Sequence, residues 1–154
     1  MAKVRLSSVL PLSYRDELER IVFFNPNQGQ FIDALLSAVN SYGVPAIIED
    51  NDRLRLRVPA FQSIQSLYAF DGPGDGAVLV GVAGFVRETP DCMLLLHLAV
   101  HQDYTAEGPL ADQWVGLRLV TAVRDISRRT RGVSSLRVLY PRPARYALGV
   151  APTA

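Results

Sequence analysis

The stretch Met93-Leu94-Leu95-Leu96-His97-Leu98-Ala99-Val100-His101 is almost unbroken in apolar side chains. A strand with one face in water alternates apolar and polar residues, whereas a strand covered on both faces does not. Met93–His101 is therefore expected at the centre of a sheet. Val78–Arg87 precedes it as a second apolar strand, joined by the turn Thr89-Pro90-Asp91. On its other side, Leu119, Val120, Val123 and Ile126 recur at helical spacing, and Ser135–Tyr140 follows as a strand. A strand, a helix and a strand in that order can set Met93–His101 and Ser135–Tyr140 parallel.

The rest of the chain falls into place around this unit. Ser13 is a candidate N-cap, with Asp16 and Glu17 in the first turn, so a helix is expected over 14–24, broken by Asn25-Pro26-Asn27. Phe31, Leu35, Leu36 and Val39 mark a second helix over 28–42, stopped at Gly43-Val44-Pro45. From Ala46 the period becomes two. Ala46–Glu49 and Leu54–Val58 flank an Asp50-Asn51-Asp52 turn as a hairpin, with Leu54, Leu56 and Val58 on one face and Arg53, Arg55 and Arg57 on the other. Ser63–Phe70 is a further strand, and Gly72-Pro73-Gly74-Asp75-Gly76 a turn. Pro141, Pro143 and the short tail leave little room for more. The expected fold is α/β (α+β): a mixed, mainly antiparallel sheet with helices on both faces.

A length of 154 residues suits one domain over 1–154, and 49% hydrophobic with 20% charged residues is the balance of a soluble globular chain. With no membrane-length apolar run and no leading signal peptide, a cytoplasmic location is expected. Cys92 is the only cysteine, which rules out an intrachain disulfide and a Cys-rich zinc cluster. The net charge of +1 is unevenly spread. Residues 1–112 hold 8 Lys/Arg and 14 Asp/Glu (−6), and residues 113–154 hold 8 Arg and only Asp125 (+7). This reads as a solvated basic helix face beside an acidic surface, or as a basic region that meets an anionic ligand. Arg128, Arg129 and Arg131 carry neither a reading motif nor interleaved aromatics, so no nucleic-acid partner is expected.

The segment Val78-Leu79-Val80-Gly81-Val82-Ala83-Gly84-Phe85-Val86-Arg87, with Met93–Tyr104 after it, resembles the central strands of the GCN5-related N-acetyltransferase (GNAT) superfamily. The likeness runs from about Ser63 to Tyr140 and rests on element order and hydrophobic pattern. It implies an acyl-CoA-dependent N-acyltransferase, with acetyl-CoA or another acyl-CoA lying in a splay between two parallel strands. By match, Leu98, Ala99 and Val100 would hold the pantetheine. The family's pyrophosphate loop, [RQ]-x-x-G-x-[GA], has two registers here. Thr105-Ala106-Glu107-Gly108-Pro109-Leu110 keeps only the middle glycine. Gln113-Trp114-Val115-Gly116-Leu117-Arg118 keeps the Gln and the middle Gly and leaves a helix of usual length, so it is preferred. There the backbone N–H groups of Val115, Gly116 and Leu117 would grip the phosphates, with Arg118 crowding or pairing with them and Asp112 capping the helix in competition.

Catalytic groups are thin. The resemblance implies Tyr146 as the acid, in an echo of a family helix over Ala144–Val150, with Tyr140 behind it. His101, at a strand end, could reach a ligand or act as base. His97 and His101 lie roughly 13 Å apart along a strand and cannot share a metal. Cys92 reads as a packed bystander, and Trp114 as a core or interface residue. The family's last two strands are absent, so hairpin 46–58 or a second copy in a homodimer is expected to cover the open edge. Two functions stand: an N-acyltransferase with an unknown amine acceptor, and a catalytically inactive binding or oligomerisation module on the same fold.

Overall fold

The computed structural model describes residues 4–23, 32–105, 108–139 and 144–148. Six strands form one sheet in the order β1-β4-β5-β6-β7-β8, and β2 pairs with β3 in a separate two-stranded sheet. The strands are β1 (Val4–Ser7), β2 (Ala46–Asp50), β3 (Arg53–Arg57), β4 (Gln65–Asp71), β5 (Val78–Thr89), β6 (Cys92–Val100), β7 (Ser135–Val138) and β8 (Ala144–Ala147). The helices are α1 (Arg15–Val22), α2 (Ile32–Tyr42) and α3 (Val115–Arg129). This is the mixed, mainly antiparallel α+β arrangement expected, with helices on both faces.

The apolar run sits where its composition requires. β6 lies inside the sheet, antiparallel to β5 and parallel to β7 through α3. The α3 face covers one side of the sheet: Val115, Leu119 and Val123 are fully buried against Val80, Ala83, Phe85, Met93 and Leu95. Each such burial contributes about 1.5–3 kcal/mol. On the opposite face Leu18, Ile21 and Val22 of α1, with Leu54, Leu56 and Val58 from the hairpin, pack on Tyr68, Val82, Leu94 and Leu96. Asn51 and Asp52 both take positive φ (52° and 62°), which matches the tight turn the hairpin needs.

Gly81 sets how closely α3 approaches. A Cβ there would stand 2.8 Å from Val115 Cγ1 and 2.9 Å from Leu119 Cδ1, so the first turns of α3 rest on a strand position that has no side chain.

Several expectations need correction. Val4–Ser7 is a strand at the sheet edge, paired with β4, that four residues were too few to announce. Ser13 does not cap α1: it lies in a 3-10 turn, Leu12–Tyr14, and the cap is Tyr14 with no side-chain bond. The tail is not exhausted at the prolines either. Ala144–Ala147 pairs antiparallel with β7, where the family echo implied a helix. β8 therefore covers the edge that hairpin or partner was expected to cover, and the hairpin instead caps a face of the main sheet. Asn25-Pro26-Asn27, Glu107, Tyr140 and Gly149-Val150 lie outside the described residues.

Candidate functional site

Two local features converge between β6, β7 and α3. The first is a one-residue bulge in β6. Gly84 pairs with His97 and Phe85 with Leu95, so Leu96 is extra. The bulge changes which residues face α3: Met93 and Leu95 do so before it, Leu98 and Val100 after it. The second is the early end of β7. The parallel pairing spans Cys92–Leu95 against Ser135–Val138, closed by a bond from Leu139 N–H to the Leu95 carbonyl at 3.4 Å. β6 continues from Leu96 to Val100, about 16 Å further, past the last paired residue of β7.

The direction of the main chain in that stretch follows from the ladder. His101 N–H donates to the Val80 carbonyl at 2.8 Å. Antiparallel strands alternate, so Ala99, paired with Val82, also turns its backbone toward β5, while Leu98 and Val100 turn theirs toward the β7 side. Of the three strand residues matched to the family, Leu98 and Val100 turn their main chain away from β5 and Ala99 turns its own toward it.

α3 begins beside this opening. Its cap is Trp114, held at φ 54° and ψ 40°, with no side-chain cap bond. That left-handed conformation is uncommon for a bulky residue. It turns the chain abruptly out of the 3-10 turn Ala111–Gln113, in which Gln113 sits partly exposed. Asp112 therefore stands two residues before the cap, exposed, and does not cap the helix as expected. The helical ladder opens with Arg118 N–H on the Trp114 carbonyl at 2.9 Å, which leaves the N–H groups of Val115, Gly116 and Leu117 ahead of it. A Cβ on Gly116 would meet only Val100 Cγ2, at 3.6 Å. Arg118 does not turn to the helix N-terminus; its Nη1 donates to the Val4 carbonyl at 3.4 Å, on the far edge strand. Leu117 and Trp114 are exposed, Trp114 by 63%, so of the two places expected for Trp114, core or interface, the core is excluded.

The first loop register has a different use for its glycine. A Cβ on Gly108 would lie 2.5 Å from the carbonyl groups of Gln102 and Asp103, and backbone cannot give way there. Gly108 N–H donates to Thr105 and Leu110 N–H to Asp103, so the segment folds onto itself as a connector. Tyr104 pins it down: its hydroxyl donates to Asp71 Oδ2 at 2.5 Å, and Asp71 is 8% exposed at the end of β4. Burial first, then the bond to Asp71, pushes the Tyr104 phenol well above its ordinary range.

His101 acts on the same connector. Its Nδ1 accepts the Asp103 N–H at 3.1 Å. A base needs a free lone pair, and with Nδ1 occupied the neutral ring offers Nε2–H. In this arrangement His101 caps the Gln102–Tyr104 turn. Tyr146 pairs through its backbone with Leu136, which itself pairs with Met93, so it stands on the closed side of the opening.

A carboxylate that the sequence reading passed over stands at this closed end. Glu88 is the only acid on β5, β6 and β7. Its Oε2 accepts Arg137 Nε at 3.1 Å and its Oε1 accepts Arg137 Nη2 at 2.5 Å and the Tyr42 hydroxyl at 3.0 Å; Arg137 Nη2 also donates to Tyr42. Burial, reinforced by Glu88, raises the Tyr42 phenol above its usual value. Arg137 pairs in register with Leu94, one position below the last paired residue. An acid near the end of an otherwise apolar strand was the signal available. Among the described residues no group of three His, Cys, Asp or Glu could hold a metal ion, and no helix is long and apolar enough to cross a membrane.

No model of a known protein family matches the sequence, and no curated protein matches it.

Proposed function

We propose that the chain is an acyl-CoA-dependent N-acyltransferase acting on an amine. The observation that carries this reading is the course of β6 past the end of β7, beside a helix N-terminus without a side-chain cap. The opening presents main-chain groups of Leu98 along its length and the N–H groups of Val115, Gly116 and Leu117 at its mouth, a pairing suited to an extended chain ending in phosphates. Bound acyl-CoA would supply an activated thioester. The chain's part is to hold that thioester along β6, exclude water between the two faces and bring an amine to it. Glu88 is the one acid on β5, β6 and β7. Arg137 and Tyr42 hold it in a fixed place, where its charge favours a cationic amine.

Specific observations favour the second reading, a binding module without catalysis. Asp112 precedes the helix N-terminus, where its charge opposes an anion; Arg118 is engaged at Val4; and His101 has spent its Nδ1 lone pair. A homodimer stays a proposal as well, with the outer edge of β8 as a route for sheet pairing, tested by light scattering at rising concentration.

The deciding experiment is a calorimetric titration of wild type and Gly116→Val with acetyl-CoA and with CoA. The acyltransferase reading expects saturable binding that the variant loses while it keeps the far-ultraviolet circular dichroism of wild type. Binding followed by thiol release with an amine present separates the enzyme from the module. Wild-type protein that binds neither compound overturns both forms of the CoA reading.

A further inference from the structure

The β2–β3 hairpin is a sheet of its own, and its two long edges differ. Asn51 and Asp52 form a two-residue turn with positive φ. Asp50 and Arg53 beside that turn therefore exchange both main-chain bonds, and the ladder alternates from there. Leu54, the next position, turns its main chain away from β2, and both of its groups are taken. Its N–H donates to the Leu10 carbonyl at 2.9 Å, and its carbonyl accepts the Tyr68 hydroxyl at 3.3 Å. On β2 the same phase turns the main chain of Ile47 and Glu49 outward. Among the described residues, none outside the hairpin bonds to those N–H and carbonyl groups. Glu49 shares the core-facing side with Leu54, yet its side chain is 57% exposed, so β2 overhangs the rim of the core.

We infer that this edge pairs with the same edge of a second copy, antiparallel about a two-fold axis at Ile48, and joins the two hairpins into one four-stranded sheet. The pairing is independent of acyl-CoA binding and of the β8 edge. It lies on the face of the main sheet opposite α3, clear of the opening beside β6.

The side chains select the register. With Ile48 on the axis, Ile47 of each copy faces Glu49 of the other, and every outward N–H and carbonyl of the two strands finds a partner. An axis at Glu49 would set like charges directly opposite. An axis at Ile47 would bring Glu49 against Pro45, which has no N–H to give. On the outward face, the Ile48 register lays the half-buried Ile48 of one copy against that of the other. Asp50 of each copy comes beside Ala46 of the other. The small Ala46 side chain leaves that carboxylate open to Arg57, the exposed partner of Ala46 on β3. Acids on an edge deter strands at large, but this edge meets itself with no acids opposed.

Sedimentation velocity over a concentration series, with oxidative cross-linking, tests the pairing. Wild type should form a reversible dimer. Glu49→Pro removes one outward N–H and no bond between β2 and β3. It should stay monomeric at concentrations where wild type is paired, while keeping wild-type circular dichroism. Ile48→Cys sets two thiols at a non-hydrogen-bonded pair with Cα atoms about 4.5 Å apart, within disulfide range. Mild oxidation should make that dimer covalent, and Cys92, 2% exposed, is too buried to form the link. Wild type that remains monomeric at its highest soluble concentration overturns this pairing and the homodimer together. A dimer that survives Glu49→Pro, or an Ile48→Cys dimer that oxidation leaves unlinked, overturns this pairing alone and points to the β8 edge.

Discussion

Two glycines at the foot of α3 should respond in opposite directions to the same substitution. At Gly81 an added methyl would sit 2.8 Å from Val115 Cγ1 and 2.9 Å from Leu119 Cδ1, both on side chains with no exposed surface. The Leu119 tip can rotate, but Val115 is branched at Cβ and stiff, so α3 must lift or Val115 must leave its rotamer. Overpacking of this kind costs about 1–3 kcal/mol. At Gly116 the nearest atom to an added methyl is Val100 Cγ2 at 3.6 Å, an ordinary contact. There alanine removes glycine's entropy penalty inside a helix, a gain of up to about 1 kcal/mol. For a chain of this size each kcal/mol moves the midpoint by roughly 2–4 °C. Gly81→Ala should therefore melt about 3–10 °C below wild type, and Gly116→Ala at or slightly above it, by calorimetry with urea denaturation alongside. A neutral Gly81→Ala, or a Gly116→Ala that is the less stable of the two, refutes the claim that α3 rests on the bare backbone of Gly81.

Other outcomes follow from the buried polar groups. Because His97 has a folded pKa below its unfolded one, its contribution is fully present above pH 6.5 and is lost as pH falls toward about 4; the loss is roughly 3 kcal/mol, and urea titrations of His97→Leu should show a shallower acid arm. Tyr104→Phe removes the donor to a buried carboxylate and should cost about 1–3 kcal/mol, partly restored in Tyr104→Phe with Asp71→Asn, measured by denaturant midpoints. The Glu88–Arg137 pair is 21% and 30% exposed at the side chains; Glu88→Ala should cost about 1–2 kcal/mol after allowance for solvent screening, and a cycle with Tyr42→Phe should be non-additive.

The central strands were legible because an apolar run of strand length has few alternatives: β5, β6, α3 and β7 lie within a residue or two of where pattern put them. The bulge was not legible for the same reason. A strand that is Leu and Val on both faces hides a change of phase, since Leu98 and Val100 suit either side. β1 is too short to show a period, and β8 lies behind two prolines, with a helical echo laid over it. The cap of α3 was misread because Asp112 is a good capping residue in the wrong place; a left-handed turn at a tryptophan is not what its residue type favours. Glu88, Tyr42 and Arg137 stand far apart in the chain, and only the folded sheet brings them together.

Trp114 is the protein's only tryptophan, and it stands in solvent at the cap of α3. Its emission in the native state should already be that of a wetted indole. Heating or urea will shift it little, so fluorescence will under-report unfolding that circular dichroism sees plainly. The same placement makes it a local reporter, because a ligand lying across the first turn of α3 would quench or shield that one fluorophore while the core gave no signal at all.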